Sequence, residues 1–341
     1  MAGNAENGTE LLRVEGLQIK FHSDFGDSVV TDRISFHVNR GEALGIVGES
    51  GCGKSVTALA VMGLLPKNGR IAEGSIRLGG QELTRMPRKE LDKIRGNRMS
   101  MIFQDALASL NPVFTVGFQV TEAILAHSAK TKAEARELAV SMLRKAGLPD
   151  AEAAMKKYPY ELSGGMRQRV MIAMALSCGP ELLIADEATT ALDVTIQEQI
   201  MRMISGIRKE ENMSLMLITH DIGLVAEMSD RVIVMYAGQI AEEADVFELY
   251  RNPMHPYTRL LIAAVPGITD EPGRRLVSIP GSVPENYGEI KGCRFAGRCP
   301  YASAECAQPQ QMRETAPGHF VRCHKAGTPA VQPGNRTEGR L

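Results

Sequence analysis

A doubly wound α/β core, led by antiparallel strands and followed by an appended extension, is the fold class the sequence predicts, on three observations. Strand-like runs (LLRVEGLQIKF, ISFHV) lead into EALGIVG, which ends in a glycine-rich loop and precedes SVTALAVMGLL with helical apolar spacing. Strand, glycine loop and helix thus follow one another near residues 43–65. Between residues 115 and 158 helix formers dominate with no strand run among them, which reads as a helical subdomain inserted at about 104–168. Strand segments return at LLIAD (182–186), LMLITH (215–220) and RVIVMYAG (231–238), each after a helical stretch.

The core is expected to occupy residues 1–250 and to fold around its own sheet without depending on the cysteine-bearing tail, Cys293 to Cys323. Pro, Gly and Cys then become frequent, giving an extension over 251–325, and the composition of 326–341 predicts disorder. At 341 residues the chain exceeds one average domain, in keeping with a large core plus an appendage. Hydrophobic residues at 44%, charged residues at 23% and a net charge of -1 give no sign of a nucleic-acid partner. The longest apolar runs, such as 170–177, fall short of the roughly 20 residues that span a bilayer. The start MAGNAENGTE lacks a basic segment followed by an apolar one, so a cytoplasmic protein with reduced cysteines is expected.

Gly48, Glu49, Ser50, Gly51, Cys52, Gly53, Lys54 and Ser55 fit the phosphate-binding loop, whose glycines let backbone N–H groups wrap an anion at a helix N-terminus. Lys54 would reach the β and γ phosphates and Ser55 would hold Mg²⁺. A plain glycine turn is the rival reading, weakened because the required strand and helix flank the loop. LLIAD ends at Asp186 and is followed by Glu187, two carboxylates at the end of an apolar strand where neither has a packing purpose. Asp186 suits Mg²⁺ and Glu187 suits polarising an attacking water. Leu162, Ser163, Gly164, Gly165 and Met166 open a helical run, and a Ser-Gly-Gly helix start presents unpaired N–H groups to a second phosphate site.

That last segment, with the loop and the carboxylates, resembles the signature of the ABC ATPases, and the resemblance spans about residues 11–250. It implies ATP and Mg²⁺ as cofactors, with Ser163, Gly164 and Gly165 gripping ATP held by a second ATPase subunit. Gln104 looks like the glutamine that senses the metal, His220 like the switch histidine, and Ala191, Leu192 and Asp193 like the loop that crosses the dimer. Ser55, Gln104 and Asp186 would be the Mg²⁺ ligands, and Glu187, His220 and Gln104 the catalytic set. Phe21 is similar in placement to the aromatic that stacks on adenine, with Phe25 as competitor. Two departures stand out: Ala188 replaces the usual Pro and is expected to loosen the loop around Glu187, and Met166 replaces the commoner Gln.

Within that family the segments FQDALASLNPVFTVG, ADEATTALDVTIQEQI and NPMHPYTRLLIAAVP resemble the dipeptide and oligopeptide permease branch. The branch implies two transmembrane permease subunits, a periplasmic or lipid-anchored substrate-binding protein, and a place on the cytoplasmic face of a bacterial inner membrane. Nickel and glutathione importers share much of the pattern, so the cargo stays open. A DNA-repair or translation ABC protein would carry a coiled-coil insertion or two cassettes, and a phosphate-loop kinase or GTPase would lack LSGGM and His220. Cys293, Cys299, Cys306 and Cys323 are spaced more widely than the short pairs of structural zinc. In this branch such cysteines hold a 4Fe–4S cluster, whose charge Arg294 and Arg298 could offset. Zinc, with His319 or His324 as helper, and unligated thiols are the alternatives. Cys52 and Cys178 read as small packing residues.

Overall fold

The computed structural model describes residues 10–24, 26–104, 109–188, 193–265 and 278–327, so Phe25, Ala191, Leu192 and the tail from 328 lie outside the described residues. Among the described residues the strands form two sheets. The smaller is antiparallel, ordered β2 (Gly26–Asn39), β1 (Glu10–Ser23), β4 (Gly69–Leu78), β5 (Gln81–Glu82). The larger runs β11 (Arg313–Ala316), β12 (His319–Val321), β10 (Gln239–Asp245), β9 (Arg231–Tyr236), β3 (Ala43–Val47), β8 (Ser214–Thr219), β7 (Leu182–Asp186), β6 (Met99–Ile102). From β6 to β9 neighbouring strands are parallel, and from β9 to β11 they are antiparallel.

Helices connect and cover these strands: α1 (Lys54–Val61), α2 (Arg88–Ile94), α3 (Val116–His127), α4 (Lys132–Lys145), α5 (Ala151–Ala154), α6 (Gly164–Leu176), α7 (Val194–Glu211), α8 (Ile222–Met228), α9 (Val246–Arg251) and α10 (Pro256–Ala263). Side chains on a strand alternate between faces, so a sheet covered on both sides needs apolar residues at every position. On β8, Met216 and Ile218 join a core shared with α1 and the antiparallel sheet, while Leu215 and Leu217 join the core beneath the helices. No helix among the described residues is long and apolar enough to cross a membrane.

The helical insertion appears where the helix formers placed it. Thr115 caps α3, and Thr131 with Glu134 makes a capping box on α4. Val120, Ile124, Ala139 and Leu143 from these helices pack in one cluster with Val170 and Ile172 of α6.

The extension is joined to the core sheet. β12 pairs with β10, Glu242 opposite Val321 and Glu243 opposite Phe320, so the C-terminal hairpin forms the outer edge of the core sheet. The buried Glu242 carboxylate accepts from Met254 N (2.7 Å) and His255 N (2.9 Å) and pairs with His319 Nε2 (2.7 Å). A buried charge needs such partners, and here each comes from the region after 250.

Candidate functional site

The carboxyl ends of β3, β6, β7 and β8 bring the sequence-predicted residues together, as expected at the switch of a parallel sheet. The loop after β3 wraps the start of α1. Gly53, at φ +103°, precedes Lys54, and a Cβ on Gly48 would sit 2.2 Å from the Met235 carbonyl oxygen, so a side chain at Gly48 would clash and one at Gly53 would be strained. With no side-chain cap on α1, its first N–H groups are left for an anion. Lys54 is buried and donates to the carbonyls of Gly48 (2.7 Å) and Glu49 (3.1 Å).

Ser55 Oγ donates to Asp186 Oδ1 (2.9 Å). Gln104 Nε2 donates to Glu187 Oε2 (2.7 Å), and His220 Nδ1 lies 3.4 Å from Glu187 Oε1. The three residues follow three neighbouring strands, which is why they converge. Glu187 takes φ +47°, a left-handed conformation that costs a non-glycine residue energy and is common at functional sites. Burial pushes the Asp186 carboxyl up, helped by the Glu187 charge and opposed by Ser55 and Lys54. Ala188 is buried and its carbonyl accepts from Gln168 of α6, which ties this segment to the signature helix.

A cavity of about 620 Å³ is lined by Ser50, Gly51, Lys54, Ser55, Gln104 and Glu187, within the size range of ligand pockets. Ser163, Gly164 and Gly165 do not line it. Ser163 instead caps α6, accepting from Met166 N (3.3 Å), and a Cβ on Gly164 would meet open space. Asp193 caps α7 by accepting from Ile196 N (2.9 Å). Phe21 is half-buried with its ring against Gly69 and does not line the cavity. Cys52 is buried in the loop, in line with a packing role.

Sequence reasoning missed the contribution of the extension. Val283, Pro284, Glu285 and Tyr287 line the same cavity. Arg298 forms a two-pronged pair with Glu49, and Tyr257 Oη accepts from Glu49 N (3.0 Å). Partners separated by more than 200 residues leave no local pattern to read.

Cys293, Cys299, Cys306 and Cys323 line one small cavity with His255, His324 and Lys325. Their thiols are free of disulfides. Burial pushes the Cys293 thiol up to about 11 and raises Cys299 and Cys323. As the side chains stand, no group of three or more His, Cys, Asp or Glu among the described residues is arranged to hold a metal ion. Two expectations are corrected here. Arg294 and Arg298 turn toward the core, Arg294 to Asp32 (2.7 Å) and the Ala237 carbonyl (2.6 Å), rather than toward the cysteines. His319 pairs with Glu242 outside that cavity, leaving His324 as the histidine after 300 beside the thiols.

A phosphate loop on a parallel strand, paired carboxylates on the next strand but one, and a Gln and His meeting on the second carboxylate define a nucleotide-binding ATPase cassette. Family comparison agrees: the ABC transporter model matches residues 31–190, and the model for the oligopeptide/dipeptide transporter C-terminal region matches 241–306. The dipeptide transport ATP-binding protein DppD of Escherichia coli (strain K12) is 46% identical over 94% of this chain and 99% of its own. The oligopeptide transport ATP-binding protein AppD of Bacillus subtilis (strain 168) is 48% identical over 92% and 96%. The dimeric structure of MJ0796, a bacterial ABC transporter cassette, superposes with a TM-score of 0.63 at 26% identity, covering 69% of this chain and 99% of that one. The chain belongs to the ABC transporter ATP-binding family, in the branch of dipeptide and oligopeptide transport proteins.

Proposed function

We propose that this chain is the ATP-hydrolysing subunit of a bacterial importer of dipeptides or oligopeptides, working at the cytoplasmic face of the inner membrane. The observation that carries the reading is the meeting of Gln104 and His220 on Glu187 beside the phosphate loop. In this reading residues 48–55 cradle the phosphates, and Lys54 sets its charge against the β and γ groups. Ser55, Asp186 and Gln104 hold Mg²⁺, which when bound offsets phosphate charge and favours the ionised form of Asp186. Glu187 polarises the attacking water, with His220 orienting it. Phe21, which is not among the residues lining the cavity, is the candidate for the adenine stack.

The signature residues Ser163, Gly164 and Gly165 stand outside their own cavity, which supports a composite site in which they grip ATP on a second ATPase subunit, with Asp193 at that junction. Two permease subunits complete the transporter and a substrate-binding protein feeds it. Support for the permease contact comes from an apolar groove lined by Phe103, His127, Met171, Met174 and Cys178, and from the exposed Phe114 and Phe118 of the same helical insertion. ATP closes the pair and hydrolysis reopens it. The chain alone should therefore be a poor ATPase that recovers when its partner cassette and permeases are added. Full, concentration-independent turnover by the isolated chain would contradict this.

For the cysteine-rich extension the reading is a 4Fe–4S cluster on Cys293, Cys299, Cys306 and Cys323. Four thiols lining one cavity are the donor set that such a cluster takes. When bound, the cluster would supply a staple for a segment with little apolar material. Brown anaerobic protein with equal iron and sulfide supports it, and colourless protein with one zinc favours the alternative.

A further inference from the structure

The loop that would hold a polyanion carries a carboxylate of its own, Glu49, and a carboxylate beside phosphates is electrostatically adverse. The C-terminal extension answers that charge. Arg298 Nη1 donates to Glu49 Oε2 (2.7 Å) and Nη2 to Oε1 (2.9 Å). Its other bonds go to the carbonyls of Pro280 (2.7 Å) and Gly281 (3.2 Å) and to Tyr236 Oη (3.2 Å). A guanidinium has five N–H donors, and five bonds are made here. The side chain is 7% exposed and lies over the Tyr236 and Phe295 rings. Its geometry is therefore fixed from every side.

A second fastening lies two residues along the loop, where the single Tyr287 hydroxyl proton is shared between the carbonyls of Val30 (3.1 Å) and Gly51 (3.3 Å). Tyr287 also lines the cavity that holds Lys54 and Glu187. Because the Glu49 carbonyl accepts from Lys54 Nζ, a shift of Glu49 moves the ammonium that faces the phosphates. We propose that Arg298, assisted by Tyr287, is a positioning residue of the nucleotide site: it pins the phosphate loop to the C-terminal extension and neutralises Glu49, and so sets the affinity for ATP. This rests on the ATPase reading above and extends it to a region outside the nucleotide-binding motifs.

The test is titration of the full chain with ATP and Mg²⁺, each variant in the Glu187→Gln background so that nucleotide is not consumed. Arg298→Gln should weaken ATP binding about tenfold, the scale of a charge-assisted pair that is partly screened. Arg298→Lys should recover part of the loss, since it keeps the charge without the fork. Tyr287→Phe, which keeps the ring and loses only the hydroxyl, should cost about twofold to threefold. The double variant Glu49→Gln/Arg298→Gln should bind more tightly than Arg298→Gln alone, because it removes the uncovered carboxylate. Loss of a merely structural tether would not be rescued in that way. Parental affinity in Arg298→Gln, or a further loss in the double variant, would overturn the proposal while leaving the ATPase reading intact. A parent chain that binds no ATP would overturn both.

Discussion

The parallel centre of the main sheet and its antiparallel edge are held by different forces. Every residue of β3, β7 and β8 is buried, and the side chains are almost all apolar until Asp186 and Thr219. The edge formed by β10, β12 and β11 is tied instead by polar pairs. Glu242 meets His319, Arg322 donates to the carbonyls of Ile240 (2.8 Å) and Gln310 (3.0 Å), and Arg313 donates to the Cys323 carbonyl (2.7 Å). Hydrophobic burial is non-directional and indifferent to pH, whereas a buried ion pair depends on geometry and on protonation. The centre should therefore behave as one cooperative unit, and the edge as a dock that can be loosened separately.

That contrast can be broken by substitution. Leu217→Ala, at a fully covered position of β8, should destabilise the whole domain by about 2–5 kcal/mol, read as a shifted denaturant midpoint with one transition. Glu242→Gln should cost about 1–3 kcal/mol, because its three donors then face a neutral group in a buried site. Its loss should appear first as faster proteolysis after residue 310, with β8 still protected. Equal loosening of β8 and β12 by either variant would erase the distinction.

The smallest expected effect sharpens the same contrast through pH. Burial draws the His319 pKa down, but the Glu242 pair and the nearby Glu248 outweigh it, so the net shift is upward. A base raised above its unfolded value of about 6.5 contributes stability that is complete below that pH and is lost as pH rises through the folded value. Hydrogen exchange at Arg322, whose N–H donates to the Ala241 carbonyl (2.8 Å), should become faster above neutrality after correction for intrinsic rates. His319→Gln should remove that dependence, and β8 amides should lack it.

The same division explains what could be read in advance. The phosphate loop, the Asp186 and Glu187 pair and the signature are contiguous segments whose chemistry depends on local backbone form, so their spacing exposes them. Gln104 and His220 were readable because each ends a recognisable apolar strand, and parallel strands bring their ends together. Arg298 and Glu49 gave no such cue, since the loop that carries Arg298 has no periodicity and its partner lies in another part of the chain. The paired roles of His319 and His324 were equally hidden. Only the fold reveals which of two nearby histidines turns toward Glu242 and which toward the thiols.

The centre of the sheet exists, on this view, to hold Glu187 where water meets the γ-phosphate. The direct measurement is single-turnover ATP hydrolysis by Glu187→Gln in the assembled transporter, alongside equilibrium ATP binding. Binding should remain near the parental value, because the loop, Ser55 and Asp186 are untouched, while hydrolysis should fall by about 100-fold or more, the scale of a lost general base. Parental turnover in that variant would contradict the assignment of Glu187 and the reading built on it.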